Sequence, residues 1–183
     1  MNEKRRKLLK LRSRIIDNIY KKRWEEVWFF PEFKKVKGVK GFLGTARIIF
    51  VAINPNFGAY PSKEDLFYYK NLKRQGFANA HLTDLFKIKR KNESAQGLLK
   101  DKTLLQEAKK YLAQELKIVR PKLVVGVGKS YKKVYGAVFN ELKIPKYEII
   151  PHYAPQFNNQ TKKKNFRKAL RKVRVIYFNK RKS

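Results

Sequence analysis

The sequence predicts an α/β fold: a single domain whose central, mostly parallel, four-stranded sheet has helices on both faces. Apolar, β-branched runs alternate along the chain with amphipathic segments of helical spacing, which is typical of parallel sheets. The chain has 183 residues, of which 43% are apolar, so it is long and apolar enough to bury one core.

The first half of the chain contains two helical and two strand patterns. Residues 4–20 carry apolar side chains at three- and four-residue spacing among Lys and Arg, which predicts a basic helix within an N-terminal extension over residues 1–40. Residues 46–53 form a β-branched run, as expected for a strand covered on both faces. A helix is predicted at 65–75 and a second strand within 77–86.

A third strand is predicted at 123–127, after a helix whose capping-box pattern begins at Thr103. The glycines that follow this strand suggest a phosphate-binding loop, but Leu123 stands where that loop needs its first glycine. Nucleotide hydrolysis is therefore not expected. Ser130 is interpreted instead as the N-cap of the next helix, which extends to residue 142.

The last part of the chain is strongly basic. A fourth strand is predicted at 147–150, a helix at 161–173 and a short strand at 175–178. Residues 161–183 form a basic C-terminal helix and tail without a single acidic residue. A run of charge usually marks a solvated face, but this cluster as a whole predicts a polyanionic partner.

Composition narrows the classes of function. Lys and Arg number 46 against 14 Asp and Glu, a formal charge of +32, so nucleic acid is the expected partner. No apolar run approaches the ~20 residues that span a membrane, and no signal-peptide core is present, so a cytoplasmic location is expected. The chain has no Cys and only two His, so neither a metal nor a cofactor is expected. The composition also suits a thermophile.

Polar residues follow three of the predicted strands. Asn54 comes after the first, Asp84 lies near the end of the second, and His152 follows the fourth. Carboxyl ends of parallel strands meet at one edge of a sheet, so these side chains are expected to share a pocket. An Asn can hold a water molecule, and a His can donate a hydrogen bond where negative charge develops. The set suits hydrolysis through a departing anion.

These motifs resemble, in order, those of the uracil-DNA glycosylase superfamily. AINPNFGAYP is similar to its first motif and HYAP to its second, closest to the mismatch-specific and single-strand-selective branches. FYYKNLKRQGF, HLTDLFK and PKLVVGVGKSYKKVYG resemble the stretches between them, so the likeness covers residues 46–165. The chain departs from the pattern at Ala52 and Asn56, where the family has glycines, and at Tyr153-Ala154, which replace Pro-Ser.

The resemblance implies a monomeric, monofunctional DNA glycosylase of base excision repair, which flips a uracil or another deaminated base out of DNA. It needs no metal and forms no covalent lysine intermediate. Asn54 would position the attacking water and His152 would stabilise the departing base. The alternatives are an Asn that merely starts a turn and a His with a structural or capping role.

Four residues are expected around the extruded base: Ile53, Phe57, Tyr60 and Asp84. Phe57 is expected to stack on the base, with Tyr60 as its competitor, although either ring also suits the core. Asp84 leaves three alternatives open. It is protonated by burial and imitates an Asn, it selects a base that presents donors such as hypoxanthine, or it lies outside the pocket and pairs with Lys87.

Contacts to DNA are expected from the loop after His152 and from the helix that follows. Phe157 would fill the gap left in the duplex, with Gln156 beside it. Phosphates would be bound by the following cations: Lys87, Lys162, Lys163, Lys164 and Arg167. Two alternative functions remain: a non-catalytic nucleic-acid-binding protein with the same fold, and a basic RNA-binding protein.

Overall fold

Four short strands form the centre of the molecule. The computed structural model describes residues 2–21, 27–33, 36, 38–55, 60–88, 94–154 and 159–179. The strands are β1 (Ile48–Ala52), β2 (His81–Asp84), β3 (Leu123–Val127) and β4 (Tyr147–Ile150). They pair in the order β2-β1-β3-β4, and every pair is parallel, which confirms the predicted fold class.

Six α-helices surround this sheet within the described residues. They are α1 (Glu3–Lys21), α2 (Lys63–Arg74), α3 (Ala95–Lys100), α4 (Lys102–Val119), α5 (Lys132–Glu141) and α6 (Gln160–Phe178). Alternate side chains of β1 point to opposite faces of the sheet. Ile49 and Val51 pack with α1, α3, α4 and α5, whereas Ile48 and Phe50 pack with α2 and α6. Helices therefore cover both faces, as expected.

Several predicted element boundaries are wrong. Residues 175–178 continue α6 instead of forming a strand. The second strand, His81–Asp84, does lie within the predicted range 77–86. Helix α4 is capped by Asp101, whose side chain accepts a hydrogen bond from Leu104 N. The predicted capping residue, Thr103, lies inside the helix.

Ser130 is not an N-cap either. It lies inside a 3-10 turn, Lys129–Tyr131, from which α5 continues without a capping side chain. The capping box that the structure does contain is at Ser62 and Asp65, where it begins α2. None of the described helices is long and apolar enough to cross a membrane.

Candidate active site at the carboxyl edge of the sheet

The strand order places a crevice between β1 and β3. From β1 the chain passes to β2 on one side and later returns to β3 on the other, so the direction of winding reverses at this point. In open α/β sheets, ligands bind outside the carboxyl ends of the strands at such a switch point. Asn54 follows β1, and His152 follows β4, with β3 between those strands. Neighbouring strands lie about 4.8 Å apart, so the carboxyl ends of β1 and β4 are about 10 Å apart.

Tyr135 of α5 forms the floor of this crevice. Its hydroxyl lies 3.0 Å from the carbonyl oxygens of both Val51, near the end of β1, and Val127, the last residue of β3. The ring crosses β3 at Gly126, where a β-carbon would come within 2.8 Å of the ring. Gly126 is therefore needed for the packing of α5 against β3. This explains one of the glycines that had suggested a phosphate-binding loop.

Asn54 is half-buried beside the crevice. Its side-chain nitrogen donates to the carbonyl oxygen of Pro55 at 3.2 Å. This bond directs the amide nitrogen toward the backbone and turns the Oδ1 acceptor away from it. An amide oxygen held in this way can accept a hydrogen bond from a water molecule.

His152 is held in one tautomer by the backbone. The main-chain N–H of Ala154 donates to its Nδ1 at 3.0 Å, so Nδ1 must be the unprotonated nitrogen and the ring hydrogen lies on Nε2. Burial lowers the pKa of His152 to about 4, so the ring is neutral near pH 7. The arrangement supplies a neutral Nε2–H donor at this edge of the sheet.

A column of stacked rings supports His152. The Tyr153 ring lies 4.6 Å from the His152 ring at an interplanar angle of 18°, and 4.2 Å from the Tyr68 ring at 2°. Tyr68 is a fully buried residue of α2, and Phe166 of α6 contacts it edge-on. The column fixes the plane of the imidazole against the core.

Asp84 lies at the end of β2, in register with Ala52 of β1, and its side chain is buried. Its charge affects the pKa values of three tyrosine hydroxyls. Burial is the larger reason that the pKa values of Tyr68, Tyr135 and Tyr153 are raised well above normal, and Asp84 raises each of them further. The charge of Asp84 therefore acts on both the aromatic column and Tyr135 at the crevice floor.

Lys87 is the clearest correction to the predicted site. Its ammonium group is buried and lies 2.8 Å from Glu115 Oε1 and 2.8 Å from the main-chain oxygen of Asp84. Glu115 also contacts His81 Nε2 at 3.0 Å. Burial alone would raise the pKa of Glu115, but Lys87 and His81 lower it below its usual value. Lys87 belongs to a core ion pair and not to a phosphate-binding surface.

Two residues predicted near the base are packed into the protein. Ile53 is buried with the side chains of the α4 face, and its carbonyl oxygen accepts from Phe86 N at 2.9 Å. Tyr60 is half-buried in an aromatic cluster, 5.1 Å from the Trp28 ring, and donates to the Tyr69 hydroxyl at 3.2 Å. Burial raises the pKa of Tyr60 to about 12. Phe57, Gln156 and Phe157 lie outside the described residues.

A groove of about 800 Å³ leads away from His152 between β4 and α6. Four exposed lysines line it: Lys129, Lys162, Lys168 and Lys172. The acid in its lining, Glu148, pairs with Lys172 at 3.3 Å. Only Lys162 of this set is among the cations singled out from the sequence.

The remaining predicted phosphate ligands lie on α6. Lys164 is exposed and Lys163 is half-buried. Arg167 is half-buried, with its guanidinium carbon 5.2 Å from the centre of the Phe67 ring, and its Nε is buried without a hydrogen-bond partner. Arg167 therefore ties α6 to α2 as well as carrying charge. Across the described part of the chain, no group of three or more His, Asp and Glu residues could hold a metal ion.

The sequence interpretation missed Tyr68, Tyr135 and Tyr153. Only Tyr153 could have been noticed in the sequence, because it directly follows His152 at a position where the family pattern has Pro. Tyr68 and Tyr135 lie in amphipathic helices, where an aromatic residue first indicates core packing.

A family model supports this architecture independently. The model of the uracil DNA glycosylase superfamily matches residues 41–174, which include all four strands and most of α6. No curated protein matches the chain significantly. The matched region takes in Asn54, Asp84 and His152, and it covers well over half of the chain. The chain therefore belongs to the uracil DNA glycosylase superfamily.

Proposed function

We propose that the chain is a monofunctional DNA glycosylase that hydrolyses the N-glycosidic bond of uracil or another deaminated base in DNA. The observation that carries the proposal is the pair formed by Asn54 and His152. Asn54 offers an acceptor after the end of β1, and His152 offers a neutral donor after the end of β4, at the same edge of the sheet. The ends of β1 and β4 are about 10 Å apart, which leaves room for a sugar and its base.

In the proposed reaction the nucleotide is flipped out of the DNA and the bond from sugar C1′ to the base nitrogen breaks. The electron pair leaves with the base, and the Nε2–H of His152 donates a hydrogen bond to the developing anion. Oδ1 of Asn54 holds the water that attacks C1′. The water releases a proton to solvent and the base anion takes one up, so the net reaction is hydrolysis.

The neutral state of His152 suits this role. A protonated ring would carry a hydrogen on Nδ1, directed at the Ala154 N–H that now donates to it. Two donors would then oppose each other. The low pKa that burial gives His152 keeps the ring in the productive tautomer at neutral pH.

The test uses oligonucleotides that each carry one modified base, treated with the protein and then with alkali, which breaks the strand at sites that have lost a base. We expect strand breaks with wild type. Asn54→Ala should lower the single-turnover rate, because the attacking water is no longer held. His152→Ala should lower it by about 10²–10³-fold, the loss expected for one anion-stabilising donor. DNA affinity should be nearly unchanged, because neither side chain is charged.

Asn140→Ala is the matched control, because Asn140 is an exposed residue of α5 outside the crevice. It should keep the wild-type rate. Strand breaks on none of a broad panel of bases would favour a non-catalytic nucleic-acid-binding protein. Wild-type rates in the Asn54 and His152 variants would place the chemistry elsewhere.

A further inference from the structure

We propose that the groove between β4 and α6 binds a short single-stranded DNA segment that flanks the extruded nucleotide. The inference extends the proposed function and rests on it for the role of His152, which lies at one end of the groove. Binding of the strand itself does not depend on catalysis.

Charge is the first reason for a nucleic-acid occupant. The four lysines outnumber Glu148, the one acid among the described residues that line the groove, and Glu148 pairs with Lys172. Lys129 and Lys168 have no acidic partner within the described part of the chain. Cations gathered along a concave surface attract a polyanion and raise its local concentration.

The arrangement of the lysines indicates an extended ligand. Lys162, Lys168 and Lys172 follow one face of α6, and at 1.5 Å per residue they span about 15 Å along the helix axis. Lys129 enters from the turn after β3. Charge distributed over this length suits successive phosphates of a chain better than one compact anion.

The size of the groove favours one strand over two. Its volume of about 800 Å³ is within the range of sites for drug-sized ligands. A groove of this size suits a short segment of one strand. Among the described residues that line it, His152 carries the only aromatic ring on which a base could stack. The groove should therefore hold the sugar-phosphate backbone, without sequence preference.

The direct test measures binding of undamaged DNA by fluorescence anisotropy, over a range of salt concentrations. The probes are a single-stranded oligonucleotide and a blunt duplex of the same length. The test variant combines Lys129→Gln with Lys168→Gln, which leaves Asn54, His152 and Lys162 unchanged. The control combines Lys110→Gln with Lys117→Gln, two exposed lysines of α4 on the opposite face of the sheet.

For the groove variant we expect single-strand affinity to fall by about tenfold at low salt. The slope of log affinity against log salt should decrease by about 1.4, since each lost phosphate contact on a single strand contributes about 0.7. Duplex affinity should change less, and the α4 variant should bind both probes like wild type. An equal loss for duplex and single strand, no loss at all, or the same loss in the α4 variant would overturn the proposal.

These outcomes are separate from those of the glycosylase test, because the probes contain no damaged base. Single-strand binding that depends on Lys129 and Lys168 would stand even if no base were released. Polyglutamate added as a competitor provides a further check. We expect it to displace the strand poorly, and displacement as efficient as that by unlabelled single strand would contradict recognition of a phosphate backbone.

Discussion

Replacing Tyr153 tests whether the ring column sets the state of His152. Burial lowers the His152 pKa from 6.5 to about 4, and Tyr153 covers one face of the imidazole at 4.6 Å. Tyr153→Leu keeps an apolar side chain but removes the flat ring, so water should reach that face. We expect the His152 pKa to rise by about 1 to 2 units. Tyr153→Phe keeps the stack and should leave the pKa near 4.

Catalysis should follow the same shift. Protonation of His152 breaks the hydrogen bond from Ala154 N–H to Nδ1, so activity should fall as the pH drops through the His152 pKa. In Tyr153→Leu this acid limb should move to higher pH by the same amount as the pKa. A loss of activity that was equal at every pH would indicate only a general disturbance of the site.

The assay is an NMR titration of the imidazole nitrogens. The chain contains only two histidines, so His152→Gln assigns both sets of signals. Circular dichroism establishes that each variant is folded. A Leu variant that keeps the wild-type pKa would refute the reasoning, as would a Phe variant whose His152 pKa rises as much as that of the Leu variant.

Further predictions follow from neighbouring groups. Lys87→Met should lower the free energy of unfolding by about 3–5 kcal/mol, because Glu115 is left buried without its cation, and urea titration against Lys110→Met measures this. Asp84→Asn should shift the ratio of uracil to hypoxanthine release toward uracil, because an Asn amide can donate to uracil O4, where an Asp oxygen would oppose it lone pair to lone pair at a cost of about 1–3 kcal/mol. An unchanged ratio would show that Asp84 does not read the base. Because the His152 pKa is lower in the folded chain, the unfolded chain takes up the proton first as the pH falls. The stability contributed by neutral His152 should be complete above about pH 6.5 and lost by about pH 4, a trend that His152→Gln should lack in chemical denaturation.

The sheet could be predicted because its strands have a local signal. Residues 46–53, 123–127 and 147–150 are short β-branched or apolar runs between amphipathic segments, and such runs fit strands covered by helices. The prediction that the polar residues after these strands share one edge required only that the strands be parallel. The run at 175–178 has the same composition but is helical, because Ile176 and Tyr177 continue the packing of α6 against the core.

The buried state of Lys87 had no local signal. Its partner Glu115 lies on α4, and His81 joins them from the start of β2, so only the folded chain brings the three together. The same holds for Tyr68 and Tyr153, which are distant in sequence and stack at 4.2 Å. Contacts between segments that are remote in sequence determine which cations are solvated and which rings face a site. The hydrophobic periodicity of the sequence carries no information about such contacts.

Helix α6 has a consequence for the thermal behaviour of the protein. It carries eight cations and no acid: Lys162, Lys163, Lys164, Arg167, Lys168, Arg171, Lys172 and Arg174. Like charges one turn apart repel, and cations in the first turn oppose the helix dipole. The helix therefore depends on Phe166, Leu170 and Val173, which anchor it in the core. Ions that screen this repulsion should raise the melting temperature, and a bound polyanion should raise it further. Nucleic acid would then stabilise the folded chain by neutralising the charge of α6.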